Sequence, residues 1–149
     1  MRLALLLLAT LLPAHSQIVR EKIEWLDVWI PDTNSHSLPR VLLIGDSITH
    51  QCLYTQHVEN FFYTRYPNLR LHFRNAGVGG DKAQDALNRF DEDIAAFKPT
   101  VATLCYGMND GGYQPWREEI GVAYERNMRA VLDRLGEAGV KTVVVGSPG

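Results

Sequence analysis

The sequence predicts an α/β protein built on a parallel sheet with helices on both faces. Two observations carry this. Short apolar runs alternate with helical apolar stripes in the order β-α-β-α-β-α-β between Val41 and Gly146. The first three runs each end in a polar, glycine-rich stretch, as expected where parallel strands finish on one rim and ligands bind beyond their carboxyl ends. Right-handed crossovers leave few topologies for such an order.

The chain divides into three parts. Met1-Arg2 opens positive, Leu3 to Leu12 is an apolar run too short to span a bilayer comfortably, and Ala14-x-Ser16 offers the small residues of a cleavage site. Residues 1–16 are therefore read as a secretory signal cut near Ser16-Gln17, giving a secreted or periplasmic protein; a buried N-terminal helix is the plainer alternative. No cysteine at the cut suggests a lipid anchor, and no other segment suggests a membrane span. Residues 17–40 form a lead-in, with Trp25, Leu26, Val28 and Trp29 apolar but without a clean period, and a turn cluster at Pro31 to Ser35. Residues 41–149 form the domain.

Within the domain, Val41 to Ile44 is wholly apolar and ends at Gly45, the mark of a strand buried on both faces. Tyr54, Val58, Phe61, Phe62 and Tyr66 recur at helical spacing before Pro67. Leu69, Leu71 and Phe73 alternate with Arg70, His72 and Arg74, as in a half-buried edge strand. Leu87, Phe90, Ile94 and Phe97 mark one helix face that Pro99 closes. Val101 to Tyr106 is the third strand. Ile120, Tyr124, Met128, Val131, Leu135 and Ala138 predict the longest helix, with Gly139 at its C-cap, and Thr142 to Gly146 is a fourth strand. That last strand is apolar on both faces, as a central strand would be.

Composition narrows the function classes. The 149 residues suffice for one core, and 46% hydrophobic with 21% charged residues argues against disorder. A net charge of −2 without a basic run argues against nucleic-acid binding. Cys52 and Cys105 are compatible with a disulfide after export or with two apolar core thiols. No Cys/His cluster has metal-ligand spacing, so no metal is expected.

The rim residues suggest chemistry. Ser47 follows a buried strand and a glycine, where a strand-to-helix turn exposes its hydroxyl and its own N–H. Gly77, Gly79 and Gly80 let the second loop bring bare peptide N–H groups close to a ligand. Asn109 brings a carboxamide from the third loop, a donor that does not titrate. Each signal alone has an ordinary explanation: a turn, a phosphate cradle, a cap. Their order after successive strands favours a serine nucleophile with an oxyanion site. Asp46 and Asp110 are read as loop braces.

These residues resemble the SGNH (GDSL-like) hydrolase family. Gly45-Asp46-Ser47-Ile48-Thr49 is similar to its first block, Asn75 to Asp81 to its second, with the block's glycine on Gly80, and Gly107-Met108-Asn109-Asp110 to its third. The resemblance covers Arg40 to Gly149, including Val144 to Pro148 as a fourth strand and loop. It implies a flavodoxin-like three-layer α/β/α sandwich. It also implies cofactor-free hydrolysis of esters or thioesters, with an oxyanion hole of the Ser47 N–H, the Gly80 N–H and the Asn109 amide.

The family's Asp-x-x-His block, its base and orienting partner, does not occur in these 149 residues. The chain is therefore read as C-terminally incomplete, and as a poor ester hydrolase by itself. His50 is three residues after Ser47 and is read as a rim residue lining the substrate; His57 and His72 are read as surface residues. Tyr113 and Trp116 line a pocket that stacks a sugar ring, or else pack internally. The expected partner is a small-molecule or carbohydrate ester, an acetyl ester in particular; the oligomeric state is left open. Two rivals stand beside the esterase: a non-catalytic module that binds a carbohydrate or an anion, and a nucleotide-binding domain. The second is weaker, because Gly77-Val78-Gly79-Gly80 lacks G-x-G-x-x-G spacing and follows the second strand.

Overall fold

The computed structural model describes residues 38–146. The expected signal segment, most of the lead-in with Trp25 and Trp29, His36 and the last loop with Pro148 lie outside the described residues. Four strands, β1 (Arg40–Gly45), β2 (His72–Gly77), β3 (Val101–Cys105) and β4 (Thr142–Val145), form one sheet in the order β2-β1-β3-β4. All pairings are parallel. The helices are α1 (Ser47–His50), α2 (Leu53–Arg65), α3 (Ala83–Asn88) and α4 (Glu118–Glu137).

The apolar run of β1 places it between two partners. Its Val41, Leu42, Leu43 and Ile44 are fully buried. Alternate side chains enter two cores, because successive residues of a strand face opposite sides. Leu42 and Ile44, with Ala102 and Leu104 of β3, meet Ala86, Phe90, Ile94, Val131 and Leu135 from the crossovers that hold α3 and α4. Val41, Leu43 and Val101 form the smaller core on the other face with Phe73. There α2 covers the sheet through Phe62 and Tyr63, whose rings lie 5.9 and 5.7 Å from that of Phe73. This is the three-layer α/β arrangement that the sequence predicts.

Two elements differ in detail. The strand expected over Leu69–Arg74 begins at His72 and runs on to Gly77, because the parallel register pairs His72 with Arg40 and Gly77 with Gly45. Leu69 instead closes a turn onto Tyr66. The stripe from Leu87 to Phe97 is not one helix. After α3 it becomes a π turn (Phe90–Ile94) and then a 3-10 turn (Ala95–Phe97), which still bury Phe90, Ile94 and Phe97. The fourth strand, apolar as a central strand would be, is an edge among the described residues, with Val145 45% exposed. The long helix ends as its sequence predicts. Gly139 adopts φ +86°, Val140 N–H donates to Leu135 O and Gly139 N–H to Gly136 O, which together satisfy the last carbonyls.

Leu42 sits at the centre of the larger core. Leu42→Ala is expected to cost about 2–5 kcal/mol of unfolding free energy, measured as a lower urea midpoint at an unchanged slope.

Candidate active site

The parallel sheet brings three loops to its carboxyl rim, after β1, β2 and β3. At the first, Asp46 is 2% exposed and caps α1, its Oδ1 accepting the Ile48 N–H at 2.9 Å. Ser47 is the first residue of that helix and is half-buried. Its hydroxyl and its N–H have no hydrogen-bond partner among the described residues. A helix N-terminus leaves such N–H groups unpaired, so this one is available to a ligand.

α1 lies tight against β2. A Cβ on Gly77 would overlap His50 N and approach the Thr49 carbonyl carbon to 2.7 Å. Asn75 locks the contact: its Nδ2 donates to Thr49 O at 2.6 Å and its Oδ1 accepts the Gly77 N–H at 2.8 Å. His50, expected to line the substrate, is exposed with Nδ1 3.1 Å from Gly77 O. That bond makes it a brace between α1 and the second loop. His57 lies exposed on α2, and His72 is exposed at the start of β2, at the other end of the sheet.

The second loop continues the ladder for one residue, as Val78 N–H donates to Gly45 O at 3.0 Å, and then turns. Gly80 takes φ +85°, a conformation that L side chains resist, and its N–H has no acceptor among the described residues. Asp81 is anchored by Arg89, Nε to Oδ2 at 2.8 Å. Arg89 also donates to Ala76 O at 2.8 Å and to the Tyr106 hydroxyl at 3.2 Å. Burial pushes the Asp81 carboxyl up, partly offset by the Arg89 charge, and burial pushes the Tyr106 phenol well up despite the same guanidinium.

The third loop joins the other two. Asn109 Nδ2 donates to Asp81 O at 2.9 Å and points its other proton at Asp46 Oδ2, 3.4 Å away. Its carboxamide thus links the residue before Ser47 to the residue after Gly80. Asp110 Oδ1 accepts the Ala83 N–H at 3.0 Å and so starts α3, while burial raises its carboxyl. Asp46 and Asp110 are both placed as braces. Tyr113 and Trp116, which the packing alternative would bury, are 78% and 79% exposed. The Tyr113 hydroxyl donates to Asn109 Oδ1 at 3.3 Å.

Cys52 and Cys105 are free, half-buried thiols. Among the described residues no cluster of His, Cys, Asp or Glu could hold a metal ion, and no helix is long and apolar enough to cross a membrane. Sequence reasoning missed Asn75 and Arg89 as organisers of the rim. Asn75 stands at the start of the glycine-rich stretch that the sequence marks as the second block, and nothing in the spacing around Arg89 reveals that it reaches back to Asp81.

The glycines of the second loop should separate sharply. Gly77→Ala should displace α1 and lower the melting temperature by several degrees, as overpacking of about 1–3 kcal/mol would. Gly79→Ala, with nothing within 4 Å of the added methyl, should melt within about a degree of the parent.

An acetylxylan esterase from Geobacillus stearothermophilus is 29% identical over 115 residues, which make up 62% of this chain and 52% of that protein. A solved structure of a catalytic mutant of that esterase superposes with a TM-score of 0.66 at 27% identity, covering 75% of this chain and 60% of the other. A gut microbial diltiazem-metabolizing enzyme superposes at 0.65 with 31% identity, covering 73% of this chain and 26% of its own. The chain thus spans about half to three-fifths of the length of the acetylxylan esterase it matches. The GDSL-like lipase/acylhydrolase family model matches residues 43–149, from the middle of β1 through all three rim loops, and the chain belongs to that family.

Proposed function

We propose that this chain carries the nucleophile and oxyanion donors of an exported carboxylic ester hydrolase that removes acetyl groups from carbohydrates through an acyl-enzyme. Ser47 Oγ attacks the ester carbonyl. A histidine takes its proton and returns it to the leaving alcohol, and water then releases the acyl group. The Ser47 N–H, the Gly80 N–H and Asn109 Nδ2 hold the oxyanion.

The observation that carries this reading is the Asn109 carboxamide lying between the flanks of Ser47 and Gly80. Its bond to Asp81 O, at 2.9 Å, is of ordinary length and fixes the amide plane. Its approach to Asp46 Oδ2, at 3.4 Å, is too long to be strong, so that proton can turn to a substrate oxygen at small cost. The Ser47 and Gly80 N–H groups have no acceptor among the described residues. The acetyl-carbohydrate assignment is supported by the relatives described as acetylxylan esterases; solved forms of that enzyme described as catalytic mutants replace an aspartate and a histidine. The apolar N-terminal run supports export.

The base comes from outside the described residues in this proposal, since His50 is bonded to Gly77 O, His57 is exposed on α2 and His72 stands at the opposite end of the sheet. The same placement favours, as a second reading, a domain that binds a carbohydrate without turnover. Hydrolysis of a chromogenic acetate ester by the full-length protein decides between them. Ser47→Ala is expected to abolish turnover. Asn109→Ala is expected to lower kcat about 100- to 1000-fold, the effect of removing one oxyanion donor. A rate untouched by Ser47→Ala would overturn the proposal, and saturable carbohydrate binding by a parent without turnover would select the second reading.

A further inference from the structure

Trp116 is 79% exposed, although an indole is the side chain that gains most from burial. It is nevertheless held in place. Its ring sits over Gly121 in the first turns of α4, where a Cβ would overlap the indole Cη2 and come within 2.8 Å of Cζ2. Glycine weakens a helix interior relative to alanine. At this position the helix gives up that stability and gains a seat for an aromatic ring left open to solvent.

The ring forms part of a groove of about 570 Å³ between the 107–117 loop and the start of α4. Asp110, Gln114, Glu118 and Glu125 contribute polar groups to it, and most of its surface is apolar, from Trp116, Ile120, Val122 and Tyr124 among others. A groove of this size is in the range of small-molecule sites. Its chemistry selects among ligands. The acidic side chains disfavour phosphates and carboxylates by like-charge repulsion. Several polar groups around one flat aromatic face match a pyranose, whose C–H face stacks on an indole while its hydroxyls meet carboxylate and carboxamide oxygens.

We propose that this groove is a sugar-ring subsite, with Trp116 as its stacking platform and Gln114, Glu118 and Glu125 as hydroxyl partners. It holds the alcohol side of the ester, and in that role it rests on the reading of Ser47 as an esterase nucleophile. The third loop is common to both places: Asn109 faces the oxyanion position, and the next residue, Asp110, lines the groove.

The test is a titration of the ¹⁵N-labelled protein with acetylated xylo-oligosaccharide, followed at the indole N–H signals of Trp25, Trp29 and Trp116, the last assigned by its loss in Trp116→Phe. The Trp116 signal is expected to shift saturably. Gly121→Ala separates the subsite from fold stability: it should melt no lower than the parent, by helix propensity, yet bind the oligosaccharide about tenfold more weakly because the methyl unseats the indole. No saturable shift at Trp116, unchanged affinity in Gly121→Ala, or a shift produced by a short-chain glycerol ester and not by the oligosaccharide would each overturn the proposal. The hydrolysis assay reads independently. A Trp116 titration that succeeds while Ser47→Ala leaves hydrolysis intact keeps the sugar site and removes the esterase. A titration that fails while Ser47→Ala abolishes hydrolysis removes the subsite alone.

Discussion

The rim of this protein is organised by one buried carboxyl group. Asp46 is almost wholly removed from solvent, with one oxygen on the Ile48 N–H and the other facing the Asn109 carboxamide. The first bond starts α1 and so orients Ser47; the second ties the loop after β1 to the loop after β3. A buried carboxyl group without partners would be costly, so the bond to the Ile48 N–H fixes it, and the Asn109 amide, 3.4 Å from the other oxygen, adds a weaker link. The remaining proton of Asn109 bonds Asp81 O and draws in the second loop. Two side chains therefore join three loops that are far apart in sequence.

The support beneath this junction is equally specific. Arg89 reaches from the end of α3 to Asp81, Ala76 O and the Tyr106 hydroxyl, and so fixes the second loop from below. It stands at the C-cap of α3, directly before the π turn that begins at Phe90. Phe90 and Ile94 of this stretch are buried in the core, while Arg89 points to the rim. On the other side of the sheet, Asn75 and the missing Cβ of Gly77 let α1 sit directly on β2. The donors proposed for the oxyanion are thus held by groups that do not themselves touch a substrate, which is how a site avoids reorganisation during reaction.

The ease of reading differed between elements for physical reasons. β1 and β3 were plain because strands buried on both faces must be apolar throughout. β2 was read three residues early, because an edge strand is defined by backbone pairing with β1, and the alternation of Leu69 and Leu71 belongs to the approach to the strand. The stripe from Leu87 to Phe97 marked the buried face correctly but not the pitch, since π and 3-10 turns bury the same residues as an α-helix would. The exposure of Tyr113 and Trp116 was undecidable in sequence, where an aromatic residue after a loop looks the same whether it packs or lines a groove.

The sequence by itself determined the α/β class, the order of the elements, and the placement of Ser47, Gly80 and Asn109 after successive strands, because apolar periodicity and glycine positions are local signals. Tertiary structure decided the roles within that frame. It turned His50 to the Gly77 carbonyl, made Asp46 and Asn109 partners across the sheet, brought Arg89 under the second loop and left Trp116 open on Gly121. Each of these depends on distances between residues remote in the chain, which only the packed sheet and its crossovers establish.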